Sequence, residues 1–192
     1  MDRSGMLRRI RARESIEAEC KGSIEEKIDR YLEIEHQEII GGHYFAAASS
    51  ECLHLYRDGY FIGAVMMSHA INEGIIKFVS ERNSIERANK KGSTKTIEDL
   101  INELKEKNII SEACGDASMQ IWKSYRNDIH HMNPTMAEID FKMLAKKNLL
   151  SLTRIEKEIF KVQYKNGAII PEQPRYWDIR GDGTTQVYLR ID

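Results

Sequence analysis

The sequence predicts an all-α protein: a helical bundle carrying an N-terminal helical extension and a small C-terminal β-hairpin. Three observations carry this. All three prolines lie at or after position 134, which leaves the first two thirds of the chain free to be helical. Apolar and charged residues recur at helical spacing through most of that stretch. Residues 60–82, YFIGAVMMSHAINEGIIKFVSER, are apolar on nearly every face, the pattern of a helix at the centre of a bundle.

Taken in order, residues 2–20 and 24–40 read as two helices divided by Gly22, with Ser23 and Glu26 in a capping-box pattern. Gly41-Gly42 ends that region. A helix from about His43 to Arg57 is closed by Asp58-Gly59, and the apolar helix follows. The polar run 89–95 is a loop, after which Thr96 with Asp99 opens a helix over 97–107. A helix over about 116–132 is stopped by Pro134. Thr135 with Glu138 caps a last long helix, 136–165, which Asn166-Gly167 terminates. Beyond Pro171 and Pro174 the tail alternates in a strand-like way around Gly181-Asp182-Gly183, predicting a hairpin that must dock to be stable. The implied organisation is an extension over 1–42, a bundle over 43–165 and a tail over 166–192.

Composition narrows the function classes. A chain of 192 residues with 41% hydrophobic content can bury one sizeable core. The net charge of −1 gives no global polycation, so attraction to nucleic acid has to come from local patches. Arg8, Arg9, Arg11 and Arg13 form one such patch, and Lys142, Lys146 and Lys147 another; the commoner meaning of each is a solvated helix face. Cys20, Cys52 and Cys114 are odd in number and far apart, with no CxxC or zinc spacing, which points to idle thiols in a reducing compartment. The first residues lack the apolar core of a secretion signal, and the apolar stretches are too interrupted to span a bilayer. The expected location is the cytoplasm, away from membranes.

The run Ser124-Tyr125-Arg126-Asn127-Asp128-Ile129-His130-His131-Met132-Asn133-Pro134 is the most informative part of the chain. Arginine offers a planar fork of donors for a phosphate and stays charged at cellular pH. Histidine exchanges protons near neutrality. Together they suffice to handle a phosphodiester without a metal. On a helix, residues four apart share a face, so Asn127 lies over His131 and Arg126 over His130. Arg126 and His131 diverge unless the helix end unwinds or two copies share a cleft. The plainer alternative is that an arginine and two histidines at a helix end satisfy its last carbonyls and its dipole.

The Arg126-Asn127-x-x-x-His131 pattern, late in a helical chain, resembles the HEPN family, whose nucleolytic members bear an arginine, a polar residue, three variable positions and a histidine. The segment His54-Leu55-Tyr56-Arg57-Asp58-Gly59-Tyr60-Phe61-Ile62-Gly63-Ala64 looks like that family's first helical hairpin. The resemblance covers roughly 43–165. It implies an antiparallel bundle of four to five helices that forms a homodimer, with motifs from both subunits facing a cleft that serves as a metal-independent endoribonuclease site. It also implies toxin–antitoxin or abortive-infection roles, often with an antitoxin or nucleotidyltransferase-like partner. Other members have lost the motif and act as binding modules.

The chemistry this points to is attack by a ribose 2′-hydroxyl on the adjacent phosphorus of an RNA substrate. His131 would be general base or acid, Arg126 would stabilise charge on the phosphoryl oxygens, and Asn127 would orient His131 or bond the phosphate. His130 is a possible auxiliary, and Tyr125 a possible stacking platform for a base. His69 and Glu73, one turn apart in the apolar helix, read first as a buried pair that satisfies itself and second as support behind the Arg/His run. HExxH, clustered Cys/His sets, a glycine-rich phosphate loop and a Gly-x-Ser-x-Gly elbow do not occur, so neither a metal nor a cofactor is expected.

Overall fold

A computed structural model describes residues 3–88 and 93–190. It is mostly helical, with small antiparallel strand pairs. The chain divides into two compact units, Met1–Glu33 and Ile34–Asp192. Four of the residues expected to form the 89–95 loop, 89–92, lie outside the described residues, as do 191–192 in the tail.

The first unit consists of α1 (Arg3–Gly22) and α2 (Ile24–Leu32). The expected capping box at its centre does not form. Ser23 Oγ instead donates back to the Glu19 carbonyl at 3.0 Å, and Ser23 makes no cap bond to α2. The second predicted helix also stops eight residues early, at Leu32, because residues 39–41 become a strand.

The second unit is organised around α4 (Phe61–Arg82), which packs against α3 (Ala46–Arg57), α5 (Ile97–Glu106), α6 (Glu112–Trp122), α7 (Arg126–His130) and α8 (Phe141–Ile159). The near-continuous apolar character of α4 follows from that central place, with Val65, Ile71, Ile75 and Val79 all at most 1% exposed. Gly59, at φ 88°, makes the turn between α3 and α4 that an L side chain would resist. Thr96 and Asp99 form the expected capping box at the start of α5.

Three expectations about the last third need correction. The helix over 116–132 is two helices, because Tyr125 sits in the left-handed region at φ 54° and Ser124 turns inward, its Oγ donating to the Ile121 carbonyl at 2.7 Å. The helix over 136–165 is shorter. Thr135 bonds Asp128 rather than capping, Pro134–Glu138 is a 3₁₀ turn, and Asp140 caps α8 by accepting from the Met143 amide at 3.0 Å. Asn166-Gly167 does not end a helix; both residues have positive φ, and they join β2 (Val162–Lys165) to β3 (Ala168–Pro171) in a hairpin.

The tail also pairs differently from the expected hairpin. Around Gly181-Asp182-Gly183 only the bridge between Ile179 and Thr185 forms. The strand that follows, β4 (Val187–Leu189), pairs antiparallel with β1 (Ile39–Gly41), Ile40 opposite Tyr188. Arg190 then anchors the tail. Its Nη2 donates to Glu156 Oε1 and to Ser49 Oγ, both at 2.7 Å, with Arg190 and Glu156 side chains 1% exposed. A second anchor is the aromatic cluster of Phe45, Phe78, Phe160, Tyr176 and Trp177. Within it the His43 ring bonds the Tyr176 carbonyl at 2.8 Å, and burial lowers its pKa.

Candidate functional site

Two helical faces meet at the site. On α4, His69 and Glu73 lie one turn apart, with Lys77 a turn further on. On α7, Arg126 and His130 lie one turn apart. Together with Tyr44 they line an open recess of about 330 Å³. The break at Tyr125 puts Arg126 in the first turn of a separate short helix, and α7 packs against α4.

Arg126 is held from two sides and remains a third exposed. Its Nη2 donates to Glu73 Oε2 at 3.0 Å, and its guanidinium lies 4.4 Å from the centroid of the Trp122 ring. Glu73 also accepts from Lys77 Nζ at 2.6 Å, so a single carboxylate is shared by two cations and the recess keeps a positive excess. The Arg126 Nε is buried and has no hydrogen-bond partner.

His69 is buried at 1% exposure, and its hydrogen bonds define its tautomer. Ser124 Oγ has one proton, which it gives to the Ile121 carbonyl, so toward other groups it can only accept. It accepts from Asn148 Nδ2 at 3.0 Å and must likewise accept from His69 Nε2 at 2.9 Å. His69 therefore carries its proton on Nε2. Its Nδ1 is a bare acceptor, buried and without a partner. Burial, followed by the charge of His130, pushes the His69 pKa down to about 4, so the ring is neutral at pH 7. The His69 and His130 rings lie 5.9 Å apart between centroids.

The other sequence-predicted residues are placed elsewhere. Asn127 and Tyr125 line a second recess of about 270 Å³ with Trp122, Lys123, Asp128 and Arg126, so Arg126 borders both. His131 is exposed and ends α7, its backbone N–H bonded to the Asn127 carbonyl at 3.0 Å. Of the proposed set, the structure thus brings Arg126, His130, His69 and Glu73 together and leaves Asn127 and His131 outside that recess. Sequence reasoning passed over Ser124, Asn148 and Lys77. Lys77 was open to detection, since it completes a His69-Glu73-Lys77 ladder at four-residue spacing. Ser124 and Asn148 carried no signal, because their role is to join three elements. Among the described residues no group of three or more His, Cys, Asp or Glu side chains could hold a metal ion, and no helix is long and apolar enough to cross a membrane.

Compared with family models, with curated proteins and with solved structures, the chain matches none.

Proposed function

We propose that the chain is an endoribonuclease of HEPN type that cleaves RNA without a metal, using the Arg126 recess. The observation that supports this most is chemical. An open recess of a size suited to a small polar group presents a guanidinium and an ammonium that share the single carboxylate of Glu73, beside the exposed imidazole of His130. A phosphodiester with its neighbouring 2′-hydroxyl supplies what these groups lack.

In the proposed reaction a 2′-hydroxyl loses its proton to a neutral imidazole as its oxygen bonds phosphorus. The bond from phosphorus to the 5′-oxygen breaks, and that oxygen takes a proton from an imidazolium. The products are a 2′,3′-cyclic phosphate and a 5′-hydroxyl end. Exposed His130, and His131 of a second copy, are the imidazoles open to a bound strand, one serving as base and the other as acid, while buried His69 stands behind them with its Nε2 tied to Ser124. Arg126 stabilises the phosphoryl oxygens. His131, which the family resemblance makes the acid or base, lies on the exposed end of α7, where a second copy could bring it to its neighbour's phosphate in a composite homodimer site. An antitoxin or nucleotidyltransferase-like partner belongs to the same proposal.

One observation favours a second reading, a non-catalytic module that binds a nucleotide or a partner: Arg126 already has Glu73 and Trp122 as company. Cleavage of RNA in excess chelator separates the two. The nuclease reading expects Arg126→Ala to lower the rate by 10²-fold or more, the order seen for loss of a charge-stabilising donor. It expects His130→Ala or His131→Ala to lower it by about 10²–10⁴-fold. RNA bound but left intact by the wild type supports the module and refutes the nuclease.

A further inference from the structure

Independently of the recess, we propose that α1 is an antiparallel self-association helix whose partner is α1 of a second copy of this chain. Apart from half-buried Gly5, every residue of α1 from 4 to 22 is exposed, including Met6, Leu7, Ile10 and Ile16 at 44–61%. Helices in proteins draw most of their stability from packing one face, so a helix exposed along nearly its whole length gains from a covering surface.

The sequence of the exposed face says what covers it. Met6, Ile10, Arg13, Glu17 and Cys20 follow one another along α1 at alternating steps of four and three residues, the spacing of a coiled-coil seam. The seam is palindromic in chemistry, with apolar ends and a charged centre. Run antiparallel, with each position opposite the one that completes its mirror image, Ile10 meets Cys20 and Arg13 meets Glu17 of the other copy. Run parallel, Arg13 would face Arg13 and Glu17 would face Glu17. Charge is segregated in the same sense along most of α1, up to Lys21 in its last turn. Arg8, Arg9, Arg11 and Arg13 fill the first half, and Glu14, Glu17 and Glu19 open the second. Only the antiparallel arrangement sets the basic half of one helix against the acidic half of the other.

Within a single helix Arg13 Nε already bonds Glu17 Oε1 at 2.7 Å, one turn away, with both side chains largely exposed. In the pair of helices this contact becomes the end of a four-charge square across the seam, which accounts for two charged residues lying where a coiled coil otherwise places apolar ones.

The test is the oligomeric state of the full chain by analytical ultracentrifugation. The wild type is expected to dimerise and to weaken as salt rises from about 0.1 M to about 1 M, where the screening length falls from ~10 Å to ~3 Å. Arg13→Glu alone and Glu17→Arg alone each set like charges across the seam and are expected to weaken the dimer by about tenfold or more. An equimolar mixture of the two variants is expected to recover the dimer, because each copy then meets its opposite. Loss of helix structure within either variant cannot produce that recovery. Oxidation of an Ile10→Cys variant is expected to give a disulfide-linked dimer through Cys20 of the other copy, and oxidation of the wild type is not. A monomeric wild type, a dimer unchanged by either reversal, or a Cys20–Cys20 crosslink in the wild type each overturns the proposal. So does α1-dependent binding to RNA or to anionic vesicles in place of dimerisation.

Discussion

The protonation state of His69 gives the sharpest quantitative prediction. Its ordinary pKa of 6.5 falls to about 4 in the folded protein, chiefly through burial. A lowered histidine pKa means the unfolded chain binds a proton more readily than the native one. Native stability is therefore unaffected above pH 6.5 and is lost as pH falls from 6.5 toward 4. A fall from 6.5 to about 4, at 1.36 kcal/mol per tenfold in proton affinity, is worth roughly 3 kcal/mol once fully expressed, and most of it, about 2 kcal/mol, is lost between pH 7 and pH 4.5. Urea unfolding of the wild type and of His69→Gln at both pH values isolates this contribution, because the carboxylates titrate in both proteins. The wild type should lose about 2 kcal/mol more than the variant over that interval. Parallel losses in the two proteins would mean that His69 protonates freely in the native state. The neutral, lone-paired ring assigned to the recess would then not exist.

Two further outcomes probe the scaffold. Arg190→Met leaves Glu156 buried without its cation and should cost about 3–5 kcal/mol in thermal or denaturant unfolding; a loss below 1 kcal/mol would mean the tail is not clasped to α3 and α8. Tyr125→Gly relieves a left-handed residue with a bulky side chain at φ 54° and should stabilise by about 1 kcal/mol, whereas destabilisation would show that the ring's contacts outweigh the strain.

Much of the fold was legible because local rules and tertiary packing agree there. The α3–α4 corner needed a left-handed residue and had Gly59. The α5 start needed a cap and had Thr96 with Asp99. The centre of the bundle needed a helix apolar all round and had residues 61–82. The failures share one cause, which is that a local signal had two meanings and distant partners chose between them. Asn166-Gly167 suits a helix end as well as a hairpin turn, and the pairing of Val162–Lys165 with Ala168–Pro171 selects the turn. Ser23 could have capped α2 but bonds the preceding turn. The strand-like end of the tail paired not across its own turn but with residues 39–41, far away in sequence.

The candidate site was legible in kind more than in membership. Helical periodicity foretold that Arg126 shares a face with His130 and that His69 lies over Glu73. It could not foretell that these two faces meet, since that depends on the chain breaking at Tyr125 and on Ser124 accepting from both His69 and Asn148. No pattern of spacing announces a left-handed tyrosine.

The most direct measurement of the nuclease proposal is the mass of the products after defined RNA is incubated with the purified chain in excess chelator. The proposal predicts fragments ending in a 2′,3′-cyclic phosphate and beginning with a 5′-hydroxyl, slowed in their formation by about 10²-fold or more with Arg126→Ala and absent when the RNA carries 2′-deoxyriboses. Intact RNA, or fragments that form equally well from the 2′-deoxy strand, would contradict it.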